Sequence, residues 1–400
     1  MTEVGNSKAA RPWFRVACLG VDQVVAWGVL YYSYSVLSTP LANAFNVSTR
    51  LIALAFSLSL AISGFLAAPV GRILDRRGAR FILLLGAWIG PLAFGALALA
   101  PSVWSLFCIF GALGIVQALA LYEPAFQAVV EWFPSHAERS RALLLLTCIA
   151  GFSSTVFLPL TAWLVERLGW RSTIVVLSLL LAFVLVPFRF KLPRDARHDL
   201  DRPEVRARRI EEPRVLGMLG GAFGLQSLAS TGAMLYLTRH FLELGQPLAR
   251  AAFFAGLAGA AQVPGRLFLS PLQRSARPEV RLPLLFIAQA LSLAAIAAGP
   301  WPLVVVAILV FGATTGALTL EKAVVVLQWC GADNYGTHSG FVSVFALVAR
   351  AAAPIAAEAL QRTLGSFAKA FIVLAVGVAA GSVLVLAASK VRMGRDDGST

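Results

Sequence analysis

Long apolar stretches separated by short polar segments run along almost the whole chain. Most of them have the roughly 20 residues that a helix needs to cross the ~30 Å hydrocarbon core of a bilayer. The pattern therefore predicts an all-α integral membrane protein with twelve transmembrane helices. The predicted helices, read with a window of about 19 residues, span residues 14–39, 50–71, 81–100, 102–130, 139–163, 172–190, 214–240, 250–271, 281–299, 301–327, 337–361 and 369–389.

One polar segment divides this pattern into two sets of six helices. Residues 191–213 are dense in charges of both signs and contain three prolines, which is typical of a hydrophilic linker. We predict an N-terminal six-helix bundle over 1–190, a cytoplasmic linker over 191–213, and a C-terminal six-helix bundle with a short cytoplasmic tail over 214–400. A degraded repeat relates the halves, because Pro69-Val70-Gly71-Arg72-Ile73 recurs 194 residues later as Val263-Pro264-Gly265-Arg266-Leu267 in the same helix context. Such a repeat predicts pseudo-symmetric bundles.

The distribution of basic residues predicts the orientation. The chain has 14% charged residues and a net charge of +14, whereas soluble domains carry about 25% charged residues. If the N-terminus is inside, 24 of the 34 Lys and Arg, Arg281 among them, fall on that side and 7 on the other. Because basic residues accumulate in cytoplasmic loops, we expect both termini in the cytoplasm of a multi-pass protein, in a bacterial inner membrane. This explains the charge without a nucleic-acid partner.

The sequence offers little sign of a cofactor or metal ion. The cysteines, Cys18, Cys108, Cys148 and Cys330, have no ligand-like or disulfide-like spacing. No Gly-rich phosphate loop is present, which disfavours ATP-driven pumping. We expect no cofactor, and we expect a monomer whose partners are the lipid bilayer and a small-molecule substrate.

A short charged block lies between two uncharged apolar runs and is predicted to be a tight turn at the cytoplasmic face. It matches the loop signature Gly-x-x-x-Asp-Arg-x-Gly-Arg-Arg/Lys of the major facilitator superfamily, with Ala79 in place of the first of the two final basic residues. The matching positions are Gly71, Asp75, Arg76, Gly78 and Arg80. The chain thus resembles that superfamily, which implies a secondary transporter with two six-helix bundles, and not an enzyme.

The same resemblance assigns a gating role to these five residues. It implies that Asp75 holds the two halves together on the cytoplasmic side. A carboxylate is favourable near a helix N-terminus, so the start of helix 11 is its candidate target. There Thr337 and Ser339 are possible caps. We also expect Gly71 to let two helices approach closely.

Within the superfamily, the chain is similar to the bacterial monocarboxylate and oxalate-formate branch. The stretch Asp22–Gly28 resembles its acidic-to-tryptophan motif in helix 1, and Trp132-Phe133-Pro134 resembles its entry to helix 5. That branch commonly carries an Arg in the middle of helix 8, where this chain has only Arg266 near the end. Arg350 could match the cation that exchanger members carry in helix 11.

Ionisable residues inside the predicted helices are candidates for function, since each costs roughly 2.5–3.5 kcal/mol near the bilayer centre. They fall in helices 1, 4, 7, 10 and 11, whereas helices 3, 6, 9 and 12 are expected to hold none in their cores. The resemblance implies that helices 1, 4, 7 and 10 line a central cavity. The residues are Asp22, Glu123, Arg239, Glu321, Lys322, Arg350 and Glu358.

Arg350 is the candidate for binding an anion. It lies about 13 residues into helix 11, roughly 20 Å from one face, so it cannot easily reach either surface. It could bind a substrate carboxylate in bidentate fashion, or it could form a permanent ion pair with Glu321 or Asp22. The sequence leaves both alternatives open.

Asp22 and Glu123 are the candidates for carrying a coupling proton, because burial in a low dielectric favours the neutral carboxyl group. Asp22 could instead cap a helix break or pair with Arg15. Glu123 precedes Pro124, which breaks the hydrogen-bond ladder of helix 4, so its role could be structural.

Tyrosines and one acid complete the predicted substrate site. Tyr31 and Tyr34 share a face of helix 1, whereas Tyr122 and Tyr236 lie on helices 4 and 7. Glu321 on helix 10 is included with them. Tyrosine hydroxyls can hold polar groups of a substrate, although helix packing would also account for several of these rings.

We predict a secondary transporter that moves a small, monocarboxylate-like organic anion with protons by alternating access. The alternatives are efflux of an uncharged or aromatic molecule or of a metalloid, uptake of a vitamin-like aromatic, and a receptor or scaffold that transports nothing.

Overall fold

The computed structural model describes residues 4–133, 136–192, 213–275, 277–330 and 335–396. Within these ranges the chain is helical almost throughout and contains no strand. The helices of the first half are α1 Val4–Trp27, α2 Ser33–Ala44, α3 Thr49–Arg77, α4 Ala79–Ala96, α5 Val103–Ala120, α6 Tyr122–Trp132, α7 His136–Ala150 and α8 Ser153–Phe190. Those of the second half are α9 Pro213–Glu243, α10 Leu248–Ser275, α11 Pro278–Ala298, α12 Trp301–Cys330, α13 Tyr335–Leu364 and α14 Phe367–Asp396.

The helices form two compact units, Met1–Leu200 and Asp201–Thr400. The boundary falls inside the predicted linker, of which residues 193–212 lie outside the described residues.

Nine helical segments in the described part of the chain are long and apolar enough to cross a bilayer. One of them, Arg141–Phe190, is 50 residues long and contains a backbone break at Gly169, where φ is 74°. It therefore covers two of the predicted helices, 139–163 and 172–190. Helices α9 and α10 correspond to predicted helices but are not among the nine, so the count of twelve stays a prediction.

Large apolar side chains cover much of the surface of both units. Phe65, Leu99 and Phe183 are each at least 80% exposed, and soluble proteins rarely expose contiguous apolar patches of more than a few hundred Å². A hydrocarbon environment would satisfy these side chains, so the surface agrees with the membrane assignment made from hydropathy.

The charged block near residue 75 is mostly helical, and this corrects the prediction of a ten-residue turn. Helix α3 continues to Arg77, and the chain turns at Gly78 alone, where φ is 77°. The Gly78 N–H donates to Leu74 O at 2.8 Å and ends the helix. A positive φ is readily adopted only by glycine, so Gly78 is the residue in the block that the turn requires.

The prediction that Gly71 lets two helices approach closely is wrong. A Cβ built at Gly71 meets no atom within 4 Å, whereas one built at its repeat counterpart Gly265 would lie 2.1 Å from the backbone oxygen of Ala313. In the second unit, therefore, a backbone-to-backbone contact of α10 with α12 requires glycine.

Candidate functional site

A buried ion pair between Asp22 and Arg189 lies in the core of the N-terminal unit. Arg189 Nε donates to Asp22 Oδ1 at 2.8 Å, and Arg189 Nη2 donates to Asp22 Oδ2 at 2.7 Å. Both side chains are fully buried. This bidentate geometry is the strongest that an arginine forms with a carboxylate, so Asp22 is held by α8 and not by Arg15 or a local cap.

The same guanidinium donates a hydrogen bond to the backbone at the point where predicted helix 4 is interrupted. Pro124 has no N–H and cannot donate to the carbonyl of Ala120, four residues earlier. The helix stops there, and Leu121 adopts φ −86° and ψ −154° between α5 and α6. The freed Ala120 oxygen accepts instead from Arg189 Nη2 at 2.9 Å and from Gln23 Nε2 at 3.0 Å.

Arg189 consequently joins four helices of the unit. It lies on α8, pairs with Asp22 on α1, binds the Ala120 carbonyl at the end of α5, and donates through Nη1 to Leu83 O of α4 at 3.1 Å. Its donors therefore connect the carbonyl at the end of α5 to α1, α4 and α8.

A second fully buried pair occurs in the C-terminal unit. Arg281 Nη2 of α11 donates to Glu321 Oε2 of α12 at 2.8 Å, and neither side chain has measurable exposure. Next to it in sequence, Lys322 donates to the hydroxyl of Ser343 on α13 at 3.2 Å. Glu321, which was predicted to contact substrate, is therefore engaged with an arginine of its own unit.

The arginines of these two pairs lie at the ends of helices whose cores were expected to hold no charge, because Arg189 is in the last turn of α8 and Arg281 is the fourth residue of α11. The charge count placed Arg281 on the cytoplasmic side, and both arginines, which stand at the ends of the predicted helices 172–190 and 281–299, are buried in the structure. The sequence carried one signal of this, because Arg189 stands alone among apolar residues in Val186-Pro187-Phe188-Arg189-Phe190, unlike the clustered charges of a loop.

Arg350 lies near the middle of the candidate span Gly340–Leu364 and is exposed. The alternative that pairs it permanently with Glu321 or Asp22 is wrong, since both acids bind other arginines. No carboxylate in the described ranges forms an ion pair with Arg350.

One further ion pair links α9 to α13. Arg239 Nη1 donates to Glu358 Oε1, with 16% and 4% of the respective side chains exposed. The Arg239 guanidinium also lies over the rings of Tyr236 and Phe367, 5.8 and 5.0 Å from their centroids. This pair is more accessible than the two fully buried ones.

Glu123 is exposed and occupies the first turn of α6. A carboxylate at this position is favoured by the partial positive charge of the helix N-terminus, typically by about 0.3–1 kcal/mol. Because the helix break is what creates that terminus, the structural and functional roles left open for Glu123 are compatible.

The predicted tyrosines fall into two groups. Tyr31, Tyr34 and Tyr122 belong to one aromatic cluster of the N-terminal unit, where Tyr31 and Tyr34 are buried and Tyr122 is half-buried. Tyr236 is completely buried in the other unit, donates from its hydroxyl to Pro354 O at 3.2 Å, and stacks on Phe367. In this structure Tyr236 packs α9 against α13 and has no solvent-accessible surface.

The predicted gating residues are described only in part. The side chains of Asp75 and Arg76, like those of Thr337 and Ser339, lie outside the described part of the structure. Arg80 donates to the backbone oxygen of Phe190, the last residue of α8, at 3.1 Å, and the Ala79 N–H at the start of α4 donates to Glu131 Oε1 at 3.2 Å. The block thus caps helices within its own unit.

The described residues contain no group of three or more His, Cys, Asp or Glu that could hold a metal ion. Cys18 and Cys108 are free thiols, and the side chain of Cys330 lies outside the described residues.

Two helical units with apolar outer surfaces and paired interior charges define a multi-pass membrane protein. The sequence matches the family profile of the Major Facilitator Superfamily over residues 23–318. The chain belongs to this superfamily of membrane transporters.

Curated relatives agree with this assignment. The uncharacterized MFS-type transporter YcxA of Bacillus subtilis is 29% identical over 169 residues, which is 41% of each chain. Monocarboxylate transporter 13 of Rattus norvegicus is 23% identical over 388 residues, covering 94% of this chain and 88% of that protein. The protein of the same name from Bos taurus is 23% identical over 384 residues, covering 94% and 88%.

Solved structures share the fold. A bacterial homolog of the human lysosomal transporter Spinster, in an inward-facing and unoccupied conformation, superposes with a TM-score of 0.69 at 14% identity, covering 95% of this chain and 96% of that one. The nucleoside transporter NupG superposes with a TM-score of 0.75 at 13% identity, covering 95% and 99%. At these identities the likeness establishes the fold alone.

Proposed function

We propose that the protein is a secondary transporter that moves a small organic anion together with protons by alternating access. The observation that carries the proposal is Arg350, an exposed guanidinium near the middle of a span whose two predicted partner acids bind other arginines. A charge at that depth faces a bundle interior or a water-filled cavity and needs an anion. Full-length similarity to monocarboxylate transporters supports a carboxylate as that anion.

Glu123 is the proton carrier in this proposal, in preference to Asp22. A carrier must exchange its proton with water on both sides of the membrane, and Glu123 is exposed whereas Asp22 is 1% exposed and bound by Arg189.

The proposal also includes a cellular setting and a cytoplasmic gate. We place the protein in a bacterial cytoplasmic membrane with both termini inside, acting as a monomer. Asp75 is proposed to secure the cytoplasmic gate, with Arg76, Gly78 and Arg80 in the supporting turn. Gly71 is left out, because its surroundings are open.

Transport into proteoliposomes tests the proposal. Purified protein is reconstituted with an inward-directed proton gradient, and uptake of radiolabelled acetate, lactate, pyruvate and benzoate is measured. We expect at least one anion to be accumulated. Arg350→Ala should abolish its uptake, and Arg350→Lys should restore only part of it because lysine lacks the bidentate fork.

Arg362 provides the control, since it is an exposed arginine in the last turn of the same helix. Arg362→Ala should transport like the unmodified protein. Unchanged transport of every accepted anion by Arg350→Ala would refute the role of Arg350, and absence of any carboxylate uptake would refute the proposed function.

A further inference from the structure

Aromatic rings from α1, α2, α3, α5, α6 and the π-helical turn Gly28–Tyr32 pack together in the N-terminal unit. The Trp27 ring lies 4.8 Å from Tyr122 and 5.3 Å from Tyr31. Tyr122 stacks on Phe126 at 5.0 Å, and the other contacts continue inward from Tyr31. The cluster comprises Trp27, Tyr31, Tyr32, Tyr34, Phe56, Phe110, Tyr122 and Phe126.

Two departures from regular helix meet at the contact of Trp27 with Tyr122. Trp27 is the last residue before the π-helical turn, and Tyr122 is the first residue after the break at Leu121. The π turn is tightly fixed, because Gln117 Nε2 donates to Leu30 O at 2.9 Å and Gly28 packs directly against Phe157. Single π turns recur at functional sites, and irregular backbone at membrane depth is tolerated where it is buried or lines a cavity.

The cluster has a buried base and an accessible edge. Tyr31, Tyr34 and Phe56 are 6%, 4% and 1% exposed, whereas the rings of Trp27 and Tyr122 are half-buried. A cluster that served packing alone would gain most by burying its largest ring, since apolar burial is favourable in proportion to area. Here the largest ring, the Trp27 indole, stays at the edge.

The indole N–H of Trp27 is the second unusual feature of this edge. It is buried and has no acceptor among the described residues. Buried polar groups in native proteins are nearly always hydrogen-bonded, so an exception calls for a missing partner. A carboxylate or carbonyl oxygen of a bound solute would supply that acceptor.

We propose that Trp27 and Tyr122 form the subsite for a planar aromatic group of the transported anion, so that the substrates are aryl carboxylates. The inference rests on the proposed function, which requires an anionic substrate. It adds that this substrate carries an aromatic ring. The two residues offer ring faces for offset or edge-to-face packing, and the helix breaks on either side hold them at a fixed spacing. Tyr31 packs against Trp27, and Phe126 stacks on Tyr122.

Ligand binding to the purified full-length protein tests this subsite with matched probes. Dissociation constants are measured by calorimetry for benzoate, for cyclohexanecarboxylate, which has the same number of ring carbons without a planar π system, and for acetate. Ring packing predicts that benzoate binds about two- to tenfold more tightly than cyclohexanecarboxylate. Trp27→Leu should remove this preference, because it weakens benzoate binding more than acetate binding.

A spectroscopic measurement covers the case in which Trp27→Leu does not fold. The nitroaromatic 4-nitrobenzoate should quench tryptophan emission of the unmodified protein, and the conservative variant Trp27→Phe should lose most of that quenching. Trp104→Phe is the control, because Trp104 lies on α5, is 75% exposed and takes no part in the cluster. Its quenching should equal that of the unmodified protein.

The outcomes separate this inference from the function on which it rests. If acetate or lactate binds and is transported while benzoate and 4-nitrobenzoate do not bind, the aromatic subsite is refuted and the anion transporter stands. Equal loss of acetate and benzoate affinity in Trp27→Leu, or quenching unaffected by Trp27→Phe, also refutes it. If no carboxylate binds at all, the proposed function fails and the subsite with it.

Discussion

Replacement of Arg189 by leucine removes the positive partner of a carboxylate that has almost no contact with solvent. Asp22 would remain at about 1% exposure without the two hydrogen bonds of 2.7 and 2.8 Å that now satisfy it. The Ala120 carbonyl would keep only its bond from Gln23, and Leu83 O would lose its side-chain donor. The substitution therefore leaves one buried charge and removes the hydrogen bonds that link α8 to α4 and α5.

The expected cost follows from that geometry. Breaking a buried ion pair by removing one partner destabilises a protein by about 3–5 kcal/mol, because an uncompensated charge stays buried. For a unit of roughly 150–250 residues, each kcal/mol lowers the melting temperature by about 2–4 °C. We expect Arg189→Leu to unfold roughly 6–20 °C below the unmodified protein.

A double variant separates the cost of the lone charge from the value of the pair. Asp22→Leu combined with Arg189→Leu removes both charges, and such apolar replacements of buried pairs are often neutral or stabilising. We expect the double variant to recover most of the loss. Arg167→Leu is the control, because Arg167 is an exposed arginine on the same helix and surface changes are usually within about 0.5 kcal/mol.

Thermal unfolding in detergent, followed by circular dichroism, measures these differences. A melting temperature for Arg189→Leu within about 2 °C of the unmodified protein would contradict the reasoning, since a shift that small corresponds to about 1 kcal/mol or less. So would a double variant as unstable as the single one, because the loss would then arise from packing and not from charge.

Two further predictions address the glycines and the proton carrier. Gly265→Ala should destabilise the protein by about 1–3 kcal/mol, because the added Cβ would overlap the Ala313 backbone. Gly71→Ala should be neutral or stabilising by up to about 1 kcal/mol, because its Cβ would enter open space. Equal melting temperatures of the two variants would argue against the close contact at Gly265. Glu123→Gln should lose stimulation of uptake by a proton gradient while retaining exchange of labelled for unlabelled anion, and undiminished gradient-driven accumulation in that variant would remove Glu123 as carrier.

Local features of the sequence predicted the membrane fold and the superfamily. Apolar stretches and the signature ending at Arg80 can be read along the chain, because hydropathy and turn chemistry depend on neighbouring residues. Pro124 likewise predicted the break in helix 4, since a missing N–H acts four residues away. These conclusions survive in the structure with small shifts of boundary.

The roles of the charged residues could not be read in the same way. Asp22 and Arg189 are 167 residues apart, and Arg281 and Glu321 are 40 apart. Whether an acid is a proton carrier or half of a buried pair depends on which distant side chain the packing brings within 3 Å, and no local pattern encodes that. The sequence alone determined that charges lie inside the membrane; tertiary packing decided that Asp22 and Glu321 are neutralised within their units, and that Glu123 and Arg350 are exposed.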